Sequence, residues 1–402
     1  MTRRTLTLLA GATALVAMPA LAQQDATFTW GERNTDLAPA EDSQFRAELV
    51  SSGIETERET IVGGLVHPWG IEVLPDGGGY LVTEREGRLR HVSADGTLSD
   101  PIGGLPEVDA REQGGLLDVA LGPDFANDRM VFWTYAKPVE GGVVTAAAKG
   151  RLNEDMTELT DVTDIFVQEP AVDAPMHFGS RILFDGNGHA FVTTGEHFTQ
   201  ENRQLAQDLG TTFGKVVRIT LDGEAPEDNP FVGDDSAIDT IFSYGHRNIQ
   251  GALMMDDTLW TIEHGPKGGD ELNLTEAGKN YGWPVISYGE QYSGNPVGSG
   301  EAQQEGMEQP VYFWDPVIAP AGMLAYDGEM FADWNGDLLI SSLYPGGIVR
   351  LEMEDGKVVA EERLARDVGR VRDIAVDDDG SLLVLTDFED GQLLRISTGG
   401  DS

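Results

Sequence analysis

The sequence predicts an all-β chain folded as a six-bladed β-propeller, with four-stranded antiparallel blades around a central channel. Three observations lead there. Glycine supplies 50 of the 402 residues, well above the roughly 7% of an average protein, and no long stretch repeats apolar residues at helical spacing. Short apolar runs alternate instead with Gly, Asp and Asn turns, which is the mark of many short strands. One unit recurs six times: an apolar strand, an Asp/Gly turn, then a second strand ending in Thr, Ser or an acid. Radial repetition of such a unit buries sheet faces and leaves only short edges.

The first unit spans Gly70-Ile71-Glu72-Val73 to Tyr80-Leu81-Val82-Thr83, and the second Leu117-Asp118-Val119-Ala120 to Met130-Val131-Phe132-Trp133. The third runs from Arg181-Ile182-Leu183-Phe184 to Ala190-Phe191-Val192-Thr193, the fourth from Gly251-Ala252-Leu253-Met254 to Leu259-Trp260-Thr261-Ile262. The fifth joins Gly322-Met323-Leu324-Ala325 to Asp337-Leu338-Leu339-Ile340, and the sixth Asp373-Ile374-Ala375-Val376 to Leu382-Leu383-Val384-Leu385. Outer strands are expected at Gly87–Arg90, Gly214–Arg218, Gly347–Arg350 and Gly391–Arg395, where alternation resumes after a unit. Sandwich strands would not recur as similar quartets, and a solenoid would keep a stricter period. Spacing is widest between the third and fifth units, so long loops are expected there on one face, the usual place for function.

The chain ends read differently. Arg3 and Arg4, the apolar stretch Leu6–Met18 and Ala20-Leu21-Ala22 form an export signal with expected cleavage after Ala22. The stretch is short for a spanning helix, which needs roughly 20 residues, and no cysteine follows to carry a lipid. A periplasmic or secreted protein without membrane insertion is the expectation. Residues 23–58 are polar, lack the repeat and read as an extended lead-in, with Glu59–Val66 a candidate strand closing against the last blade. Residues 59–402 then make a single propeller domain.

Composition excludes several chemistries. The chain has no cysteine, which rules out thiolate catalysis, Cys-ligated zinc and iron–sulfur clusters. Without Arg3 and Arg4, 69 acidic residues face 25 basic ones. Such a surface repels nucleic acid and anionic membrane. The plain reading is a solvated acidic coat; an acidic docking face for a basic electron-transfer partner is the sharper alternative. Dinucleotide and phosphate-loop fingerprints are missing, as is a Gly-x-Ser-x-Gly elbow.

Just ahead of each unit's first strand stands an unusual polar group: His67, Gln113, His177, the triplet His246-Arg247-Asn248, the stretch Pro316–Pro320, and Arg370 with Arg372. In a propeller the first strand of each blade lines the channel, so these residues converge at one mouth. Arginines in that ring, in so acidic a chain, point to an anionic ligand. Taken singly, a histidine at a strand start is more often structural, and Arg370 and Arg372 can simply pair with nearby acids. Glu263-His264-Gly265-Pro266-Lys267-Gly268-Gly269-Asp270-Glu271 is the densest candidate for a metal, because its Gly and Pro carbonyls and Glu271 offer the hard oxygens calcium takes. Gly/Asp-rich loops are usually only turns, and that is the reading of Asp185–Gly188 and Asp333–Asp337.

At these residues the chain resembles the soluble pyrroloquinoline quinone (PQQ) dependent aldose sugar dehydrogenases, the glucose/sorbosone dehydrogenase family. The motifs are Glu112–Leu117, Met176–Arg181, Gly245–Gly251, Glu263–Glu271, Asn280-Tyr281-Gly282-Trp283-Pro284 and Gly369–Asp373. The resemblance implies a sugar substrate, PQQ and Ca²⁺ as cofactors, and an electron acceptor in the periplasm that the sequence does not identify. It implies that His177 is the catalytic base and that Glu196 fixes its tautomer. Gln113, Arg247, Asn248, Tyr292, Arg370 and Arg372 would hold the quinone, with Arg247 also polarising its reactive carbonyl. The carbonyls of Gly265 and Pro266 would bind the active-site calcium, while Glu271 and Tyr281 match a second calcium site. The anomeric C–OH of the sugar would become a lactone. One position departs: family members often carry Lys after the second strand of the fifth blade, where this chain has Tyr344. A cofactor-free propeller binding carbohydrate or protein, and a calcium-dependent lactonase, stay open as alternatives. Tyr344 keeps the first alive, and the basic, amide-rich ring counts against the second.

Overall fold

The computed structural model describes residues 20–21 and 28–399. The export signal expected over residues 1–22 falls outside the described residues, apart from Ala20–Leu21, whose backbone pairs with Arg58 and Glu57. Six antiparallel sheets follow one another around an axis as the blades of a propeller. Each begins with an inner strand at the channel: Pro68–Val73, Leu116–Leu121, Gly179–Phe184, Ile249–Met255, Pro320–Ala325 and Val371–Val376 for blades one to six. The second strands are Tyr80–Glu84, Met130–Val139, His189–Thr194, Thr258–Glu263, Leu338–Ser342 and Leu382–Thr386. All six repeated units therefore form inner-plus-second strand pairs.

The stretches read as outer strands are third strands: Arg88–Val92, Lys215–Thr220, Ile348–Glu354 and Gly391–Thr398. Local alternation reports a strand but not its rank in the sheet. Blades two to five add their own fourth strand, ending at Leu159–Val167, Ile241–Tyr244, Tyr312–Trp314 and Lys357–Leu364. Blade one is completed only by bridges at Leu98 and Ile102. Blade six takes its outer strand from the other end of the chain, Thr56–Leu65, which pairs antiparallel with Gly391–Thr398. The preceding segment binds the rim. Asn34 and Thr35 donate backbone N–H groups to the Asp315 carboxylate at 2.9 and 3.0 Å, and Glu48–Leu49 adds a parallel strand to blade five.

Apolar contact is organised between neighbouring blades. Leu81 and Leu89 pack with Trp133 between blades one and two, Phe132 with Val192 between two and three, and Phe191 with Leu259 between three and four. Trp260 packs with Ile340 between four and five, Leu339 with Val384 between five and six, and Leu383 with Val82 where six meets one. The ring is closed by the same physics that builds each joint, burial of apolar side chains.

The inner strands share one irregularity. In every blade three of their residues oppose two on the second strand, a β-bulge that bends the chain at the axis. The bulge aligns Gly70, Asp118, Arg181, Gly251, Gly322 and Asp373 at one level. Arg181 spans the axis there, 2.8 Å from Asp118 and 2.9 Å from Asp373, with its Nε donating to the Gln250 carbonyl at 2.7 Å. Its guanidinium lies 4.5 Å from the ring centre of Trp69. The glycines at this level make room: a Cβ on Gly322 would lie 1.8 Å from an Asp373 oxygen. This buried plug ties five blades together beneath the mouth. Among the described residues no helix is long and apolar enough to cross a membrane.

Candidate active site at the channel mouth

His177 turns the chain into the inner strand of blade three with a left-handed backbone, φ 49°, a conformation uncommon for a residue with a Cβ. Its N–H donates to Gln113 Oε1 at 2.9 Å. Its carbonyl is pressed against Gly195, where a Cβ would come within 1.8 Å of it. The imidazole Nδ1 lies 3.1 Å from Oε2 of Glu196, the second residue past the second strand of the same blade. Phe198 packs edge-on against the ring at 5.1 Å. A carboxylate on Nδ1 makes that nitrogen the N–H and leaves the Nε2 lone pair free; Nε2 has no hydrogen-bond partner among the described residues. Burial, with the Arg247 and Arg203 cations, keeps the His177 pKa below its usual value against the pull of Glu196. Burial alone would raise Glu196, but His177 and Arg247 hold its carboxyl below the usual carboxylate range. The pair is therefore a neutral imidazole on an ionised carboxylate.

Blade four supplies the next groups. Arg247 donates its backbone N–H to Glu263 at 2.5 Å and its Nη1 to the His264 carbonyl at 2.9 Å. Its guanidinium lies 5.2 Å from the Trp283 ring centre, with Arg203 at 5.5 Å from the same ring. A cleft of about 350 Å³ lined by Gln200, Arg203, Gln204, Pro284 and Gln291 adjoins this stack. Asn248 spends its oxygen on the Gly179 N–H at 3.0 Å and the Gln250 amide at 3.5 Å, which leaves its NH₂ uncommitted among the described residues. His246, grouped with them in the sequence, is not a mouth residue. It is fully buried between Glu263 and Ser243, each at 2.9 Å, and stacks on Tyr281 at 4.6 Å. His246 lies in the connection between the strands Ile241–Tyr244 and Ile249–Met255, and its buried contacts anchor the turn that presents Arg247.

Blade six contributes the arginine pair, and here the plainer expectation of acid pairing holds in part. Arg370 and Arg372 converge on one carboxylate, Asp387, at 2.5 and 2.8 Å. Burial opposes ionisation of Asp387, but the Arg372 and Arg370 charges hold it far below the usual carboxylate range. Arg372 also reaches Gln250 Oε1 at 3.2 Å, and His67 stands 3.4 Å from Asp387. Two cations thus share one anion.

The Glu263–Glu271 loop closes around Asp270, whose carboxylate accepts N–H groups from Gly265 and Ile318 at 2.8 Å and from Ala319 at 2.7 Å. A Cβ on Gly265 would meet the Gly269 carbonyl oxygen at 2.1 Å. The Gly265 and Pro266 carbonyl oxygens accept no hydrogen bond among the described residues. No group of three or more His, Cys, Asp or Glu side chains is arranged for a metal among those residues, so a cation here would rest on carbonyl oxygens, as calcium can. Glu271 lies across the strand pair from Glu263; burial and that neighbouring carboxylate push its pKa well up. A cation would relieve that strain. The Tyr281 hydroxyl is committed, donating to Leu274 O at 2.6 Å and accepting from Glu276 N at 2.9 Å, so only its backbone oxygen is free for a metal. Tyr292 and Tyr344 are exposed, at 68% and 66%.

Three residues at the site escaped the sequence reading: Arg85, Arg203 and Asp387. A signal existed for two of them. The register pairs Pro68 with Glu84 and Val371 with Thr386, so Arg85 and Asp387 occupy the same step past the second strands of adjoining blades. One step further stand Glu196 in blade three and Tyr344 in blade five.

A six-bladed propeller with an imidazole–carboxylate pair and a cluster of guanidiniums at one mouth has the groups of a propeller enzyme that takes a proton beside a bound anion. The chain belongs to the glucose/sorbosone dehydrogenase family, whose model matches residues 65–395. It is 42% identical over 344 residues to the aldose sugar dehydrogenase YliI of Escherichia coli K12, covering 84% of this chain and 92% of that protein. The crystal structure of the soluble aldose sugar dehydrogenase from Escherichia coli in its apo-form superposes with a TM-score of 0.82 at 41% identity, over 86% of this chain and all (100%) of the other. The PQQ-bound aldose sugar dehydrogenase of Streptomyces coelicolor superposes with a TM-score of 0.69 at 26% identity, over 86% of this chain and 100% of that one.

Proposed function

We propose that this protein oxidises the anomeric C–OH of aldose sugars to the lactone with PQQ and calcium, and that His177 is the base. The observation that carries this reading is the buried contact of 3.1 Å between His177 Nδ1 and Glu196. It leaves a neutral Nε2 able to take a proton beside a cluster of cations. Arg370, Arg372 and Arg247 suit the carboxylates and carbonyls of PQQ, Gln113 and Asn248 offer amide groups, and the exposed Tyr292 and Tyr344 would add ring contacts. Gly265 and Pro266 present the oxygens a calcium needs, and Glu271 with the Tyr281 carbonyl suits a second one.

Bound PQQ with its calcium supplies the hydride acceptor. This chain's residues do the rest. His177 removes the anomeric hydroxyl proton at Nε2, a contribution typically worth roughly 10²–10⁴-fold. Glu196 holds the ring in the tautomer that can accept it and stabilises the imidazolium that forms. Arg247 directs positive charge at the oxygen where negative charge develops. Residues 59–402 act as one propeller domain, the mature chain starts after Ala22, and electrons leave to a periplasmic acceptor.

The test is direct. Apo-protein mixed with PQQ, calcium and glucose is expected to reduce an electron-accepting dye and to bleach the quinone absorbance. No spectral change across a panel of aldoses overturns the reading.

A further inference from the structure

We infer that Arg85 is a quinone-binding residue of this mouth, supplying the third positive charge of the pocket made by Arg370 and Arg372. The inference rests on the functional reading above and names a residue that reading does not use. Arg85 leaves the second strand of blade one at the step where Asp387 leaves that of blade six, and the inner strands of those two blades pack together. Its guanidinium donates to the carbonyls of Gly114, at 3.3 Å, and Glu112, which flank Gln113, the amide that holds His177. Two of five donors are so used, and no carboxylate pairs with it among the described residues.

The charge balance points the same way. Arg370 and Arg372 share the single Asp387, and Arg85 adds a cation with no anion of its own. Burial and repulsion from Arg372 and Arg370 depress the Arg85 pKa, outweighing the opposing pull of the Asp387 and Glu112 carboxylates. In a chain with 69 acidic residues, a partner carboxylate would be easy to supply. Such a cluster is relieved by an anion entering the mouth, and PQQ carries three carboxylates. On the other flank of blade six, Tyr344 of blade five is uncharged and exposed.

The experiment is a titration of apo-protein with PQQ in calcium buffer, followed by quinone absorbance or heat, with no sugar and no dye. Arg85→Gln is expected to weaken binding roughly 10- to 100-fold, as for loss of one charge-assisted hydrogen bond, and to flatten its salt dependence. The trimethyl ester of PQQ separates charge recognition from support of the 112–114 loop. It is expected to bind wild type and Arg85→Gln alike. Arg85→Gln with unchanged PQQ affinity overturns the inference, as does an equal loss for acid and ester. If Arg85→Gln does not fold, Arg85→Lys decides: it loses the planar fork, and a loss of affinity for the acid with wild-type affinity for the ester upholds the inference, whereas wild-type affinity for both overturns it. Equal losses for both ligands in that variant refute it. Failure of wild type itself to bind PQQ would sink the functional reading rather than this one.

Discussion

Replacing Glu196 with Gln probes the link between geometry and chemistry. Glu196 is fully buried; Oε2 receives the His177 Nδ1 proton at 3.1 Å and the Phe198 N–H, while Oε1 has no partner. As His177 becomes an imidazolium, this contact turns into an ion pair. Coulomb's law at an effective dielectric of about 20 puts its ceiling near 5 kcal/mol. Hydrogen bonds to charged groups are typically worth about 1.5–3 kcal/mol, so kcat should fall roughly 10- to 150-fold. A glutamine that turns its NH₂ toward Nδ1 would shift the proton to Nε2 and deepen the loss. Glu196 raises the His177 pKa, so its removal lowers that pKa further. A base works when deprotonated, so the acid limb of the pH–rate profile should move to lower pH. PQQ affinity should stay within about twofold, since RT ln 2 is only about 0.4 kcal/mol. The buried charge is gone and Oε1 had no partner to lose, so denaturant midpoints should hold to within about 1 kcal/mol. A kcat near that of wild type, or an acid limb moving upward, would refute the assigned role.

Other expectations follow from the same contacts. Gly195→Ala places a methyl 1.8 Å from the His177 carbonyl oxygen, so turnover should collapse; if the variant stays folded, its PQQ affinity should hold, and calorimetry with titration separates the two. Asp387→Asn leaves Arg370 and Arg372 without their shared anion, and should destabilise the apo-protein by about 3 kcal/mol while tightening PQQ binding several-fold. Because the Asp387 pKa is lowered, its contribution is full above the unfolded value of about 3.9 and fades as pH falls through the folded one; acid titration of wild type against the variant reads it. Arg181→Leu strands Asp118 and Asp373 in the plug, and should cost about 3–5 kcal/mol in denaturant unfolding.

Much of this fold was legible because each blade writes its inner two strands as the same apolar quartets. What was not legible depends on long-range pairing. Thr56–Leu65 finds its partner in Gly391–Thr398 at the far end of the chain, and residues 28–55 gain structure only by lying on finished blades. The ring positions of His177, Arg247 and Arg370 could be read from their place before each inner strand, and that of Arg372 from its place at the start of one. Their electrostatic setting could not, since Asp387 and Arg85 follow the second strands and reach the mouth only because those strands run antiparallel to the inner ones. His246 was misplaced because it lies in a connection between strands, where its side chain turns to the buried Glu263 and Ser243 while Arg247 next to it stays at the mouth. The plug residues Asp118, Arg181 and Asp373 were visible as parts of motifs, but only the shared bulge shows them to be one level.

Substitution of His177 by alanine, followed in a single turnover of PQQ-loaded protein with glucose, interrogates the base assignment most directly. The variant should bind the quinone with near wild-type affinity, because none of the described contacts of His177 is to a quinone-holding side chain except the backbone bond to Gln113, which alanine keeps. Bleaching of the bound quinone by sugar should slow by roughly 10²-fold or more. Bleaching at the wild-type rate would show that the proton leaves by another route.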